Sequence, residues 1–284
     1  MLIRAFGSIF LGGLVCAACI TSAQSPKGGA GSATQTSAVT TNHPVAWPNG
    51  AHAAVSLTYD DAIQSQIDNA VPALAKHGLV ATFFLTGTSG YLQSNPDVYK
   101  GLVAKGHELG SHTMNHPCDR SQPWVKPGFG LQDYDLARMQ KELEDNVQQL
   151  RDLGQKDPFS FAYPCGSTWL GENHESYVKL IEPMFVAARG VRPAVTDPSS
   201  EDLMNVPSPM GNSSGADLVS WVERAVAQHG WVTFTFHGVA GDYLPVNAEA
   251  HETLLTYLEA HKSTIWTERF GTIASYVKTK RAAP

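Results

Sequence analysis

Charge is scarce in this sequence and basic charge scarcer: 16% of its 284 residues are charged, 26 acidic against 20 basic, for a formal net charge of −6. Nothing in that balance calls for a nucleic acid or an anionic membrane surface as partner. Cysteine is scarce too. Of the four present, Cys16 and Cys19 fall in an apolar run from Ala5 to Ile20. That run stops short of the roughly 20 residues a bilayer span requires, so no stable membrane span is expected from it. Arg4 precedes the run and the small residues Thr21, Ser22 and Ala23 follow it, which is the layout of a secretory leader cleaved after Ala23. Acylation at Cys19 is the minority alternative, because Cys16 stands where a larger aliphatic residue is expected. The remaining pair, Cys118 and Cys165, is in an exported protein more often a disulfide than two free thiols.

Large apolar residues are almost missing again between Gln24 and His43, where Ser, Thr, Gly, Ala and Gln dominate. Such a segment cannot bury enough surface to offset its ordering entropy, so residues 24–45 are expected to form a flexible tether. With 43% hydrophobic residues overall, the rest, residues 46–284, is sufficient for one domain with a sizeable core.

Within that domain short apolar runs alternate with amphipathic stretches. Strands are expected at Ala53 to Thr58, Val80 to Leu85, His107 to Gly110, Phe159 to Tyr163, Phe185 to Ala188 and Trp231 to Phe236. Helices are expected at Ile63 to Lys76, Pro96 to Ala104, Tyr134 to Leu153, Ser176 to Ile181, Ala216 to Gln228 and Ala248 to Ala260. Strands separated by helices point to a parallel α/β architecture, and at this length to an irregular barrel.

Polar residues gather where those strands end. His112 and His116 are four apart and share a face if the segment turns helically. Alone the pair reads more readily as a polar loop than as a metal site. Asp60 and Asp61 are adjacent carboxylates after the first strand, and such a pair repels unless a cation or a proton relieves it. One of them could instead cap the following helix. Two imidazoles and one carboxylate make the donor set of open hydrolytic zinc sites, leaving the second carboxylate free as a base. His237, at the tip of an apolar strand, is either a general acid or a hydrogen-bonded rim histidine.

Taken in order, Thr58-Tyr59-Asp60-Asp61, His112-Thr113-Met114-Asn115-His116, Ala162-Tyr163-Pro164-Cys165-Gly166 and Phe234-Thr235-Phe236-His237-Gly238 resemble the polysaccharide deacetylases. This is the NodB homology family, or carbohydrate esterase family four. The resemblance runs from about Ala46 to Tyr276 and implies a distorted (β/α)7 barrel. It implies Asp60 as general base, Asp61, His112 and His116 as ligands of one divalent metal (zinc foremost), His237 as general acid, and the backbone N–H of Cys165 as oxyanion donor. The implied activity is removal of N-acetyl groups from an amino-sugar polymer or oligosaccharide outside the cytoplasm, with O-acetyl esterase activity or an impaired sugar-binding member as alternatives.

Two departures from the family pattern stand out. Ala162 occupies the place of the usual arginine that contacts the base, and the aspartate-rich motif that orients that arginine is not evident. Arg189, ending the next expected strand, either supplies the missing charge or forms a surface ion pair.

Overall fold

β1 (Ala53–Asp60) is buried along its whole length. Ser56 and Thr58 alternate with Val55, Leu57 and Tyr59 along it, yet all are buried, because a parallel strand in this sheet is covered on both faces. The computed structural model describes residues 45–282. The leader, Cys19 and nearly all of the expected tether lie outside the described residues. Val45, assigned to the tether by composition, is buried and belongs with Trp47 to the cluster that includes Trp231, Phe270 and Val277.

Past β1 the chain runs through a π-type turn at Gln66–Ala70 into α1 (Val71–Lys76), β2 (Thr82–Leu85), α2 (Gly90–Ser94), α3 (Pro96–Ala104) and β3 (Glu108–Ser111). There follow α4 (Leu136–Asp152), β4 (Phe161–Ala162), the hairpin β5 (Trp169–Leu170) and β6 (Glu175–Ser176), α5 (Val178–Ile181) and β7 (Ala188–Arg189). The last elements are α6 (Gly215–Gln228), β8 (Trp231–Phe236), α7 (Ala248–Ala260), β9 (Ile265–Thr267) and α8 (Phe270–Ala282).

Seven strands form one sheet in the order β7-β4-β3-β2-β1-β8, with β9 beside β1. All of its strand pairings are parallel. The segment from Val206 to Met210 spans the gap between β7 and β8, pairing Val206 with Arg189 and Met210 with Thr235. The result is a distorted barrel wrapped by helices, in keeping with the alternation in the sequence. Gly110 is required by the close approach of neighbouring strands, because a Cβ there would come within 2.4 Å of the Phe84 ring.

The helices carry their own stop and start signals. α4 begins at Asp135, whose carboxylate accepts the Arg138 amide at 2.8 Å, and α6 begins at Ser214, which accepts the Asp217 amide. Expected element positions hold to within a few residues for the long segments, whereas β7 is confined to two residues at the end of the expected strand. β9 and α8 were not expected from the sequence pattern.

Candidate active site

The barrel presents its chemistry at the C-terminal ends of its strands, the face on which barrel enzymes build their sites. Asp60 ends β1 and Asp61 follows it; His112 follows β3; Ala162 ends β4; Arg189 ends β7; His237 follows β8. Of these, Asp60, Asp61, His112 and His237, together with His116, Cys165 and Tyr243, line one cavity of about 990 Å³.

His112 and His116 do converge, but not through a helix. Thr113 and His116 take left-handed backbone angles (φ 61° and 51°), and the His116 amide donates to Thr113 Oγ1 at 3.0 Å. The tight turn folds the second imidazole back onto the first, 4.7 Å between ring centroids. Asp61 (φ 79°), Ala62 (φ 56°) and Cys165 (φ 53°) are left-handed as well. Backbone of this kind costs energy and persists where the surroundings over-determine it, as at ligand sites.

Asp61 Oδ1 lies 3.4 Å from His116 Nε2 and 3.6 Å from His112 Nε2. His112 Nδ1 is 2.8 Å from the Ala162 carbonyl, so it must carry the proton and Nε2 a lone pair. Asp61, His112 and His116 thus bring three possible ligand atoms within 4.8 Å of one another. Donors about 2.1 Å from a common tetrahedral centre would stand about 3.4 Å apart, so the set fits a divalent metal. Burial alone would raise the Asp61 carboxyl, but the imidazoles of His116, His112 and His237 and the Tyr243 hydroxyl overcome it and hold the group down at about 2. Burial pushes His112 down to about 4, which keeps its imidazole neutral and able to ligate at neutral pH.

Asp60 is buried and its Oδ2 accepts from the Arg189 guanidinium, while its Oδ1 has no partner in the protein. Arg189 is fully buried, and also donates to Thr235 Oγ1 and to the Gly190 carbonyl at 3.2 Å. The surface-pair alternative for Arg189 is therefore wrong. In the β4–β7 register Ala162 faces Arg189, so the charge absent at Ala162 enters from the directly opposite residue one strand over.

His237 Nε2 is 3.7 Å from Asp61 Oδ2, and its Nδ1 is buried without a partner. Cys118 and Cys165 are joined by a disulfide with Cα atoms 5.9 Å apart. It ties the loop after His116 to the left-handed turn after β4. Asn115, between the histidines, is held by the Glu142 carboxylate through its amide at 2.9 Å and its side chain at 2.6 Å.

Three features were not anticipated. Thr86, following β2, donates to Asp61 Oδ1 at 3.2 Å; its place at a strand end is the signal that could have revealed it. Tyr243 donates to Asp61 Oδ2 at 2.8 Å from a loop with no sequence signature. Trp124, Val191, Tyr243 and Leu244, the exposed large hydrophobic residues of the described chain, all line the mouth of this one cavity.

Residues 48–180 match the family described as polysaccharide deacetylase. Over that span the chain matches this family's model. Among curated relatives, a chitooligosaccharide deacetylase of Bradyrhizobium is 38% identical over 71 residues, 24% of this chain and 32% of its own length. A gellan lyase of a Bacillus species is 23% identical over 84% of this chain and 10% of its own length. The chain thus spans about a third and about a tenth of these two relatives.

The fold is that of a probable polysaccharide deacetylase from Pseudomonas aeruginosa, with a TM-score of 0.62 at 15% identity over 85% of this chain and 96% of that one. A peptidoglycan deacetylase from Bacillus subtilis superposes with a TM-score of 0.52 at 16% identity over 81% of this chain and 94% of that one. The architecture is the distorted (β/α)7 barrel of the family. An allantoinase shares it, at a TM-score of 0.61 and 16% identity over 85% of this chain and 95% of that one, so the barrel alone does not specify the amide.

Proposed function

We propose that the protein is an exported, metal-dependent deacetylase that removes N-acetyl groups from an amino-sugar polymer or oligosaccharide. The observation that carries the reading is the convergence of Asp61, His112 and His116 beside the Arg189-paired Asp60, with His237 on the same cavity. Export is supported by the leader-like N-terminus and by a disulfide, which suits an oxidising compartment. The exposed aromatic and aliphatic rim suits the C–H faces of sugar rings, and the polar floor suits the acetamido group.

Asp61, His112 and His116 would hold one divalent ion, zinc by donor type, which supplies Lewis-acid polarisation of the acetyl carbonyl and of the water. Asp60 takes a proton from that water as its oxygen bonds to the carbonyl carbon. Arg189 donates to Asp60 Oδ2 and fixes the direction of the carboxylate. The Cys165 N–H stabilises the oxygen on which charge develops. As the C–N bond breaks, His237 gives a proton to the nitrogen, without which an amide nitrogen leaves poorly. Acetate and a free amino sugar result.

Acetate release from a panel of N-acetylated glycans and O-acetylated xylan, before and after chelation, tests this. Release from an N-acetylated glycan, abolished by chelation and restored by a divalent ion, is expected. Release from xylan alone would move the assignment to an esterase, and metal-loaded protein that frees no acetate from any glycan would overturn it.

A further inference from the structure

Tyr243 belongs to the loop that follows His237, and this loop is built against the end of β1. Asp242 Oδ2 accepts the Ser65 amide at 2.7 Å, Ser65 Oγ donates to the Gly241 carbonyl at 3.3 Å, and the Val239 amide donates to Ser65 Oγ at 3.2 Å. The loop closes on itself through Gly238 N to Tyr243 O at 3.1 Å and Val246 N to Gly238 O at 2.9 Å. A Cβ at position 238 would come within 1.9 Å of the Gly241 carbonyl oxygen, which accounts for the glycine after His237. Ala240, Asp242 and Leu244 are left-handed, with φ of 52°, 56° and 45°. Three strained non-glycine residues in five are tolerated only where the loop is pinned on both sides.

The consequence is a half-exposed tyrosine whose hydroxyl reaches inward to a buried carboxylate. Asp61 is divided by its partners: Oδ1 faces both imidazoles and accepts from Thr86, while Oδ2 accepts from Tyr243. His237 Nε2 stands 3.7 Å from the same Oδ2, beyond hydrogen-bonding range.

We infer that Tyr243 is a positioning residue of the metal site: its hydroxyl occupies Asp61 Oδ2 and presents Oδ1 alone to the metal. The inference rests on the proposed metal set but not on any substrate. Partners of this kind, hydrogen-bonded to a ligating carboxylate, orient the ligand, and their loss costs about 10- to 100-fold in metal affinity.

The test is Zn2+ affinity, measured by competition with a chromophoric chelator, in the wild type, Tyr243→Phe and Leu244→Ala, alongside the unfolding temperature of each metal-free protein. Tyr243→Phe should weaken Zn2+ binding about 10- to 100-fold with metal-free stability little changed, and Leu244→Ala, in the same loop without a polar contact, should bind as the wild type does. Equal affinity in Tyr243→Phe and wild type overturns the inference while leaving the metal set standing. Equal losses in both variants also overturn it, since they report general damage to the loop. A wild type that binds no divalent ion removes the metal reading and this inference together.

Discussion

Replacing Arg189 by methionine keeps the length of the side chain and removes its charge. Arg189 is fully buried and Asp60 is nearly so, so the substitution leaves a largely desolvated carboxylate without its guanidinium partner. Breaking a buried pair in this way costs about 3–5 kcal/mol, against about 0–1 kcal/mol for an exposed pair. In a domain of this size each kcal/mol lowers the unfolding temperature by about 2–4 °C, so a fall of about 6–20 °C is expected. The measurement belongs on chelated protein, where no dication can stand in for the guanidinium. Asp60→Asn removes the stranded charge, so the double variant should recover much of the loss, with a coupling of about 2–4 kcal/mol in the cycle. With metal restored, Arg189→Met should lower kcat about 10- to 100-fold at unchanged metal content, a part of what a positioned base contributes. Additive single effects, or a loss below about 1 kcal/mol, would refute the claim that Arg189 compensates the buried Asp60. Normal kcat would refute its role in orienting the base.

Reducing the Cys118–Cys165 bridge, which closes a loop with a sequence separation of 47, should cost about 4 kcal/mol by loop entropy. Thermal unfolding with and without reductant measures it, and an unchanged midpoint would show that the bridge does not constrain the unfolded chain. His251 is buried, shares a hydrogen bond with the Tyr59 hydroxyl at 2.7 Å, and is pushed by burial down to about 4. Its neutral form therefore contributes stability that is complete above about pH 6.5 and falls by about 3 kcal/mol as the pH drops to about 4. Urea unfolding across that range should show a shallower acid loss in His251→Gln than in wild type, and parallel curves would sink the assignment.

What the sequence disclosed was the identity of the polar residues at strand ends, because β1 and β8 carry only apolar and small hydroxyl side chains until a carboxylate or imidazole closes them, and His112 follows the short β3 directly. Asp60, Asp61, His112 and His237 are legible on that ground. The path by which His116 joins them was not: the four-residue spacing suggested a helix, whereas left-handed turns at Thr113 and His116 do the work, and no local pattern announces them. β9 escaped notice because three residues carry no usable period. Tyr243 and Trp124 escaped because loop residues have no period at all, and their placement depends on tertiary anchors such as Asp242 on Ser65. Arg189 could be suggested from the gap at Ala162, yet its reach to Asp60 depends on the β4–β7 register, which only long-range pairing sets.

That register also explains why the departures from the family pattern belong together. Ala162 and Arg189 face each other at the ends of β4 and β7. The Ala162 carbonyl fixes the His112 ring at 2.8 Å, and the Arg189 guanidinium fixes Asp60. One strand end thus serves a proposed metal ligand and its neighbour serves the proposed base. A slip of β7 by one residue would turn the Arg189 side chain to the opposite face, and Asp60 would lose its guanidinium. Three residues beyond Ala162, the Cys118–Cys165 bridge fastens the same strand end to the loop that carries His116. The short β4 segment therefore holds His112 by its carbonyl and the His116 loop by the disulfide, and faces the strand that supplies Arg189, so moving the arginine across the register leaves the site's supports on one rigid corner of the barrel.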